Sequence, residues 1–215
     1  MTPQQLSRTN SPQITVALKN SDKSLAELID QIGDCLLEHG DQGFPALARS
    51  IISQQLSKAS AQSIHKKLLV FFNSESLSPP LFRNASEFEL RSAGLSQSKI
   101  QYLKGLADHV LEGNLDFEKL ENMPDEEVIE TLTQIRGIGR WTAEMYLIFS
   151  MNRLDVFPIG DGAIRRAMSE VYDIPKEQFD DQARAIAEQW KPYRTIACWY
   201  LYRHLDQSRV NKKTE

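Results

Sequence analysis

The chain has 215 residues, a net charge of −4, 41% apolar residues and 25% charged residues, which bounds it to one sizeable core or two small lobes of a soluble protein. No apolar run approaches the length of a bilayer span, and the polar start Met1-Thr2-Pro3-Gln4-Gln5 gives no expectation of a secretory signal, so an intracellular protein is expected. Cys35 and Cys198 stand among apolar residues and read as small buried thiols rather than a disulfide, and two cysteines cannot ligate a four-cysteine cluster.

In chain order, residues 1–20 are polar and are expected to form a flexible N-terminus. Ser21-Asp22-Lys23-Ser24 offers caps for a helix in which Leu25, Leu28, Ile29, Ile32, Leu36 and Leu37 recur at i, i+3, i+4 and which the stretch from Gly40 to Gly43 would end. Phe44, Leu47, Ile51 and Ile52 begin a second helix that stops near Ser53-Gln54-Gln55-Leu56-Ser57, and a third runs from Lys58 to Phe72. Residues 42–74 contain no Asp or Glu but carry Arg49, Lys58, Lys66 and Lys67, a basic stretch in an acidic protein. A Ser- and Pro-rich loop from Asn73 to Pro80 is the clearest internal boundary. Helical patterns follow at 85–93, 97–112 and 116–121, and Pro124 opens the next helix, a start being where proline is well placed. Residues 108–130 carry nine acids and one lysine, so one face can be acidic while another is basic. Further helices are expected over 161–171, 176–189 and 195–204, then a polar tail over 207–215. There is no period-2 strand and no repeat array. The expected class is all-α, about ten short helices in two lobes within residues 21–206: a hairpin-containing lobe over 81–175, and a second from 21–80 plus 176–206.

The densest signal is Leu132-Thr133-Gln134-Ile135-Arg136-Gly137-Ile138-Gly139-Arg140-Trp141-Thr142-Ala143. Glycine in a helix interior costs about 1 kcal/mol, so Gly137 and Gly139 belong in a turn that needs positive φ or close backbone approach. Helical spacing resumes at Arg140 with Ala143, Leu147 and Ile148. The N–H groups of Gly137, Gly139 and the next helix start would point outward, which suits an anion, most simply a phosphate. Arg136 and Arg140 add positive charge at the same place.

These residues resemble a known family. Leu-x-x-Ile-x-Gly-Ile-Gly-x-x-Thr-Ala resembles the helix-hairpin-helix of base-excision DNA glycosylases, and Pro158-Ile159-Gly160 closing on Asp161 resembles the rest of that superfamily's signature. The resemblance runs from about Phe44 to Tyr202 and is to the 3-methyladenine DNA glycosylase II branch (AlkA type) in a short form, without room for the sheet lobe of the long bacterial relatives. It implies an active-site cleft between the lobes and a monomer that binds double-stranded DNA with alkylated bases or abasic sites. It implies no membrane association, no required cofactor and no iron–sulfur cluster. The expected compartment is the cytoplasm of a bacterium or the nucleus of a eukaryote.

Residue by residue, the resemblance makes Asp161 the catalytic carboxylate beside the C1′ carbon of an extruded nucleotide. As an Asp at a helix start it is also an expected N-cap. Trp141 stands where bifunctional relatives carry a Schiff-base lysine, which implies base hydrolysis without strand cleavage. Trp141, Tyr202 and, beside them, Met145 would wall the base pocket, aromatic faces being attractive to a cationic base. An N3- or N7-alkylated purine already carries positive charge, so the absence of an obvious general acid fits that leaving group. Leu56 resembles the family's wedge, filling the gap left by the extruded base, with Gln55 reaching the base-pair edge. Gly137, Gly139, Arg136, Arg140, Thr142 and Lys58 would bind DNA phosphates, and Lys99, Lys104, Arg165 and Arg166 could add to them. The carbonyls of Thr133, Ile135 and Ile138 would circle a structural Na+, K+ or Mg2+. The alternative is a lesion- or abasic-site-binding protein on the same fold without excision, because Gly162 replaces a bulky apolar residue of relatives and Tyr202 a tryptophan.

Overall fold

The computed structural model describes residues 12–38 and 40–211, with side chains to residue 207. Residues 1–11 of the expected flexible start and 212–215 of the expected tail lie outside the described residues. Among the described residues are thirteen α-helices, one short 3-10 helix and no strand, the all-α class that the spacing predicts.

Residues 12–20 depart from expectation: they belong to a helix, α1, Pro12–Ser21. Leu18 is its one buried residue and holds it against α2, Lys23–Ile32. A single buried leucine makes no periodic stripe, which is why the pattern does not announce this helix. Asp22 caps α2, its carboxylate accepting the Leu25 N–H at 2.9 Å. The helix ends at Ile32 rather than running on to Leu37, because Gly33 takes φ 83° and turns its N–H back to the Ile29 carbonyl. Leu36 is consequently left exposed.

The next eight helices are α3 (Gly43–Ser53), α4 (Lys58–Phe72), α5 (Pro79–Asn84), α6 (Glu87–Ser92), α7 (Gln97–Leu111), α8 (Phe117–Glu121), α9 (Asp125–Thr133) and α10 (Arg140–Phe149). Their starts are set by local chemistry. Ser57 caps α4, Ser86 and Glu89 form a reciprocal capping box on α6, and Asp116 caps α8. Asp125, Glu126 and Glu127 fill the first turn of α9, where the helix dipole favours negative charge. The Pro79-Pro80 pair does not mark a boundary. It occupies the first turn of α5, where a missing N–H costs nothing, and α5 packs along α7. Phe82 of α5 meets Phe44 of α3 and Phe72 of α4 at ring distances of 5.7 and 5.4 Å, so both sides of the prolines share one core.

The chain then forms α11 (Gly162–Tyr172), a 3-10 turn (Lys176–Gln178), α12 (Phe179–Glu188) and α13 (Arg194–Asn211). The last helix includes residues 207–211, expected as tail; no glycine or proline interrupts it there. The compact units are therefore Gly40–Met151 on one hand, and the described residues before Gly40 with those from Asn152 on the other. The expected partings after residues 80 and 175 do not occur, since α3 and α5 both pack on α7, and α11 packs on α13 as α2 does.

The discontinuous unit has its own core, with Leu25, Ile29, Ile164, Met168, Ala183, Trp190, Tyr200 and Leu201 buried. Its buried polar centre is Asp22, whose second oxygen accepts Trp190 Nε1–H and Tyr172 O–H, each at 2.8 Å. Burial first, and the Asp22 charge after it, push the Tyr172 phenol well above its ordinary range, keeping it a donor. Cys198 is buried and Cys35 half-buried, neither in a disulfide, and burial pushes the Cys35 thiol up to about 11. Among the described residues no helix is long and apolar enough to cross a membrane.

Candidate functional site

The turn between α9 and α10 is tight: Ile135 N–H bonds the Leu132 carbonyl at 3.1 Å and Ile138 N–H the Ile135 carbonyl at 3.0 Å. Its two glycines serve different ends. Gly137 has φ 95°, and a Cβ there would overlap Cβ and the ring of Tyr102. Gly139 is the N-cap of α10 in extended backbone, with no side-chain cap. A Cβ on it would meet nothing within 4 Å. The chain itself therefore does not require glycine at 139. What a bare position there provides is unobstructed approach to the first-turn amides of α10, which have no partner within the helix.

The charges around the turn are arranged differently from expectation. Arg140 donates to both oxygens of Glu126 at 2.6 and 2.9 Å and to Glu144 at 3.1 Å, so its guanidinium faces carboxylates. That pairing raises Arg140 above its ordinary pKa and holds Glu126 below its own. Arg136 stays exposed, 5.7 Å from the Tyr102 ring centroid. Thr142 is buried inside the first turn of α10, and Lys58 is exposed at the first position of α4. Thr133 ends α9, and Ile135 and Ile138 lie in the turn that follows. The Ile135 carbonyl already accepts one hydrogen bond, leaving its second lone pair for a cation. Of the further phosphate candidates, Lys104 donates to the Ala85 carbonyl at 2.6 Å, Arg165 pairs with Asp180 at 2.6 Å, and Arg166 with Glu170 at 2.8 Å. Lys99 is buried and turned inward.

The segment between α3 and α4 presents Leu56 at 40% exposure, so this leucine is not a core residue. Gln55 beside it sits in the left-handed region at φ 56°. Gln54 Nε2 donates to the Gly137 carbonyl at 2.8 Å, joining this loop to the hairpin turn. Lys99 Nζ donates to the carbonyls of Ile52 and Gln54 at 2.6 and 2.7 Å, and burial pushes its ammonium below the usual lysine range.

Against this loop lies a cavity of about 530 Å³. One wall is α10, with Trp141, Met145, Tyr146 and Phe149; the other is α3 and its following turn, with Arg49, Ser50, Ser53, Gln54 and Gln55. Trp141 is half exposed and lines this space. The structure brings Trp141 and Met145, expected in the base pocket, to one cavity with Gln55, expected at the wedge. Tyr146, Arg49 and its ion-pair partner Asp41 were missed. Tyr146 lies five positions after Trp141, about 140° around the helix, so spacing alone gives no signal for it. Its hydroxyl accepts the Gly43 N–H at 3.1 Å, and burial pushes it up to about 12.

Asp161 and Tyr202 belong to the discontinuous unit. Asp161 is the N-cap of α11: Oδ1 accepts Ala163 N–H at 2.8 Å and Ile164 N–H at 3.0 Å. Its own N–H bonds the Pro158 carbonyl at 2.9 Å, closing the turn that carries it. The carboxylate is thereby oriented by two helix amides and placed at the positive end of a helix. A Cβ added at Gly160 or Gly162 would meet nothing within 4 Å, while Asp161 between them is itself buried. Tyr202 is half-buried on α13 against that unit's core.

With this geometry in place, similarities to known proteins become informative. The chain is 33% identical over 200 residues to DNA-3-methyladenine glycosylase 1 of Schizosaccharomyces pombe, covering 91% of this chain and 88% of that one. It is 31% identical to the alkylbase DNA glycosidase-like protein mag2 of the same yeast, covering 86% and 89%. A crystal structure of DNA-3-methyladenine glycosidase from Bacillus halodurans matches with a TM-score of 0.82 at 34% identity, covering 92% of this chain and 90% of that one. The 3-methyladenine DNA glycosylase of S. pombe in complex with abasic DNA matches with a TM-score of 0.79 at 33% identity, covering 89% and 95%. The family model described as HhH-GPD superfamily base excision DNA repair protein matches residues 48–192, and the chain belongs to that family.

Proposed function

We propose that the protein is a monofunctional DNA glycosylase of alkylation repair. It turns purines of the 3-methyladenine or 7-methylguanine type out of duplex DNA and hydrolyses the N-glycosidic bond, leaving an abasic site. The observation that carries the reading is Asp161, a carboxylate oriented by two helix amides in the superfamily's signature position. As the C1′–N bond lengthens, the cationic base takes the bonding pair and leaves neutral. Positive charge develops on the sugar, and the Asp161 carboxylate stabilises it. Water then bonds to C1′, and its proton passes to Asp161 or to solvent. Trp141, in place of a lysine, offers no amine for a Schiff base, so strand cleavage does not follow. Trp141, Met145 and Tyr202 hold the base, and Leu56 fills the vacated stack. The hairpin amides about Gly137 and Gly139, with Arg136 and Lys58, hold the phosphates. The carbonyls of Thr133, Ile135 and Ile138 would hold a cation that neutralises phosphate charge, and neutral oxygens suit Na+ or K+ better than Mg2+. The protein acts as a monomer inside the cell.

The test is incubation with methylated duplex DNA and chromatography of the released bases. Free 3-methyladenine and 7-methylguanine are the expected products, without strand breaks. The second reading, lesion binding without excision, draws on Gly162 and Tyr202 as departures from relatives. It wins if the wild-type protein releases nothing yet binds abasic duplex tightly.

Leu56→Ala is expected to weaken capture of an abasic duplex about tenfold, the loss of one leucine's apolar burial. Its unfolding midpoint should move by less than about 2 °C, because the side chain is already exposed. A large fall in the midpoint with unchanged capture would remove the wedge role.

A further inference from the structure

We propose that Lys99 and Gln54 are positioning residues that bolt the wedge loop to the hairpin turn, so that gripping the backbone and parting the bases fall to one rigid piece; this rests on the excision reading above. The loop 54–57 has no regular structure of its own, and it carries Gln55 at φ 56°, a conformation that a glutamine keeps only when its surroundings hold it. Two side chains supply the hold. The Lys99 ammonium, 9% exposed, reaches from α7 to the Ile52 and Gln54 carbonyls at 2.6 and 2.7 Å. Those carbonyls end α3, where helix acceptors lack partners and a cation is favoured. No carboxylate pairs with Lys99 among the described residues, so its charge is committed to this loop. From the other side, Gln54 Nε2 reaches 83 residues along the chain to the Gly137 carbonyl at 2.8 Å. Gly137 is the turn residue pressed against Tyr102, itself on α7. Hairpin, α7 and wedge loop thus close a ring of contacts inside one compact unit. A phosphate seated on the turn then fixes where Leu56 enters the stack. Without the bolt, the hairpin would still hold DNA, but the wedge would be presented loosely.

The experiment compares the wild type with Gln54→Ala, Lys99→Met and the double variant. The probes are a duplex bearing a tetrahydrofuran abasic analogue opposite 2-aminopurine, an undamaged duplex, and methylated DNA. Wild-type binding should raise 2-aminopurine fluorescence as the wedge unstacks it. Gln54→Ala should lose most of that amplitude and release 7-methylguanine about fivefold more slowly in single turnover, the effect of one neutral hydrogen bond. Lys99→Met should be slower on the order of thirtyfold, as befits charge-assisted bonds. The double variant should be no worse than Lys99→Met, because both act through one loop. Affinity for the undamaged duplex should not change, and the melting midpoint of Gln54→Ala should fall by no more than about 4 °C. A Gln54→Ala protein with wild-type amplitude and rate overturns the proposal, as does a proportionate loss of undamaged-duplex binding. If Lys99→Met fails to fold, Gln54→Ala decides alone. If the wild type releases no base, the excision reading falls, yet the fluorescence amplitude on the abasic duplex still decides the bolt. A wild type that leaves 2-aminopurine unchanged overturns it outright.

Discussion

Asp161→Asn is expected to slow single-turnover release of 7-methylguanine on the order of a thousandfold, the scale of removing one preorganised electrostatic partner of a transition state. The substitution is nearly isosteric, and asparagine caps helices as well as aspartate does, so the bonds from Ala163 and Ile164 survive. The melting midpoint should therefore stay within about 2 °C of the wild type. Binding to abasic duplex should persist, since the hairpin amides and Leu56 are untouched. Release assays on methylated duplex, paired with thermal melts, check the three statements together. A loss of less than tenfold would take the chemistry away from Asp161. A matching loss of stability would make the residue a cap and nothing more.

The second large effect is expected at Gly137. Gly137→Ala forces an L-residue into φ 95°, at about 1–2 kcal/mol, and sets its Cβ into Tyr102. The atoms it meets are Cβ and the ring base of Tyr102, anchored on α7, so they cannot swing aside as the tip of a long side chain could. Overpacking of this kind adds a further 1–3 kcal/mol, for a total of about 3 kcal/mol and a fall in midpoint of about 8 °C. DNA binding should fall with it, because the turn carries the amides. Gly139→Ala is the matched control. Its Cβ meets nothing in the chain, so the midpoint should barely move while duplex binding weakens. Calorimetry and fluorescence anisotropy on the pair separate a glycine kept for backbone shape from one kept for access. Equal destabilisation by both would dissolve the distinction.

The parts of this molecule legible in the sequence are those with local causes. The limits of α4 follow from Ser57 and the left-handed Asn73, and the Asp161 cap and the glycine turn follow from residue chemistry alone. What stayed hidden depends on residues distant in the chain. Arg140 reads as a phosphate ligand until Glu126, 14 positions earlier, is seen beside it. Lys99 reads as a further phosphate contact until the end of α3 is found against it. The first helix rests on one leucine, too little for a period, and the division into units depends on which helices share α7. The cavity beside Trp141 could be guessed from α10 alone, but Arg49 and Asp41 come from a stretch that contributes no motif.

The division of the chain also has a temporal side. Residues 40–151 are uninterrupted, whereas the unit that holds Asp161 is assembled from both flanks of that stretch. Asp22 waits for Trp190, 168 positions later, before its carboxylate finds its donors. On a translating ribosome the opening helices therefore emerge first and settle last, while the middle of the nascent chain can complete its own interior. Pulse-labelled hydrogen exchange during refolding should show amides of 40–151 protected ahead of those in α2 and α13, long-range closure being the slower step. Simultaneous protection would mean that residues 40–151 do not complete their core ahead of the discontinuous unit.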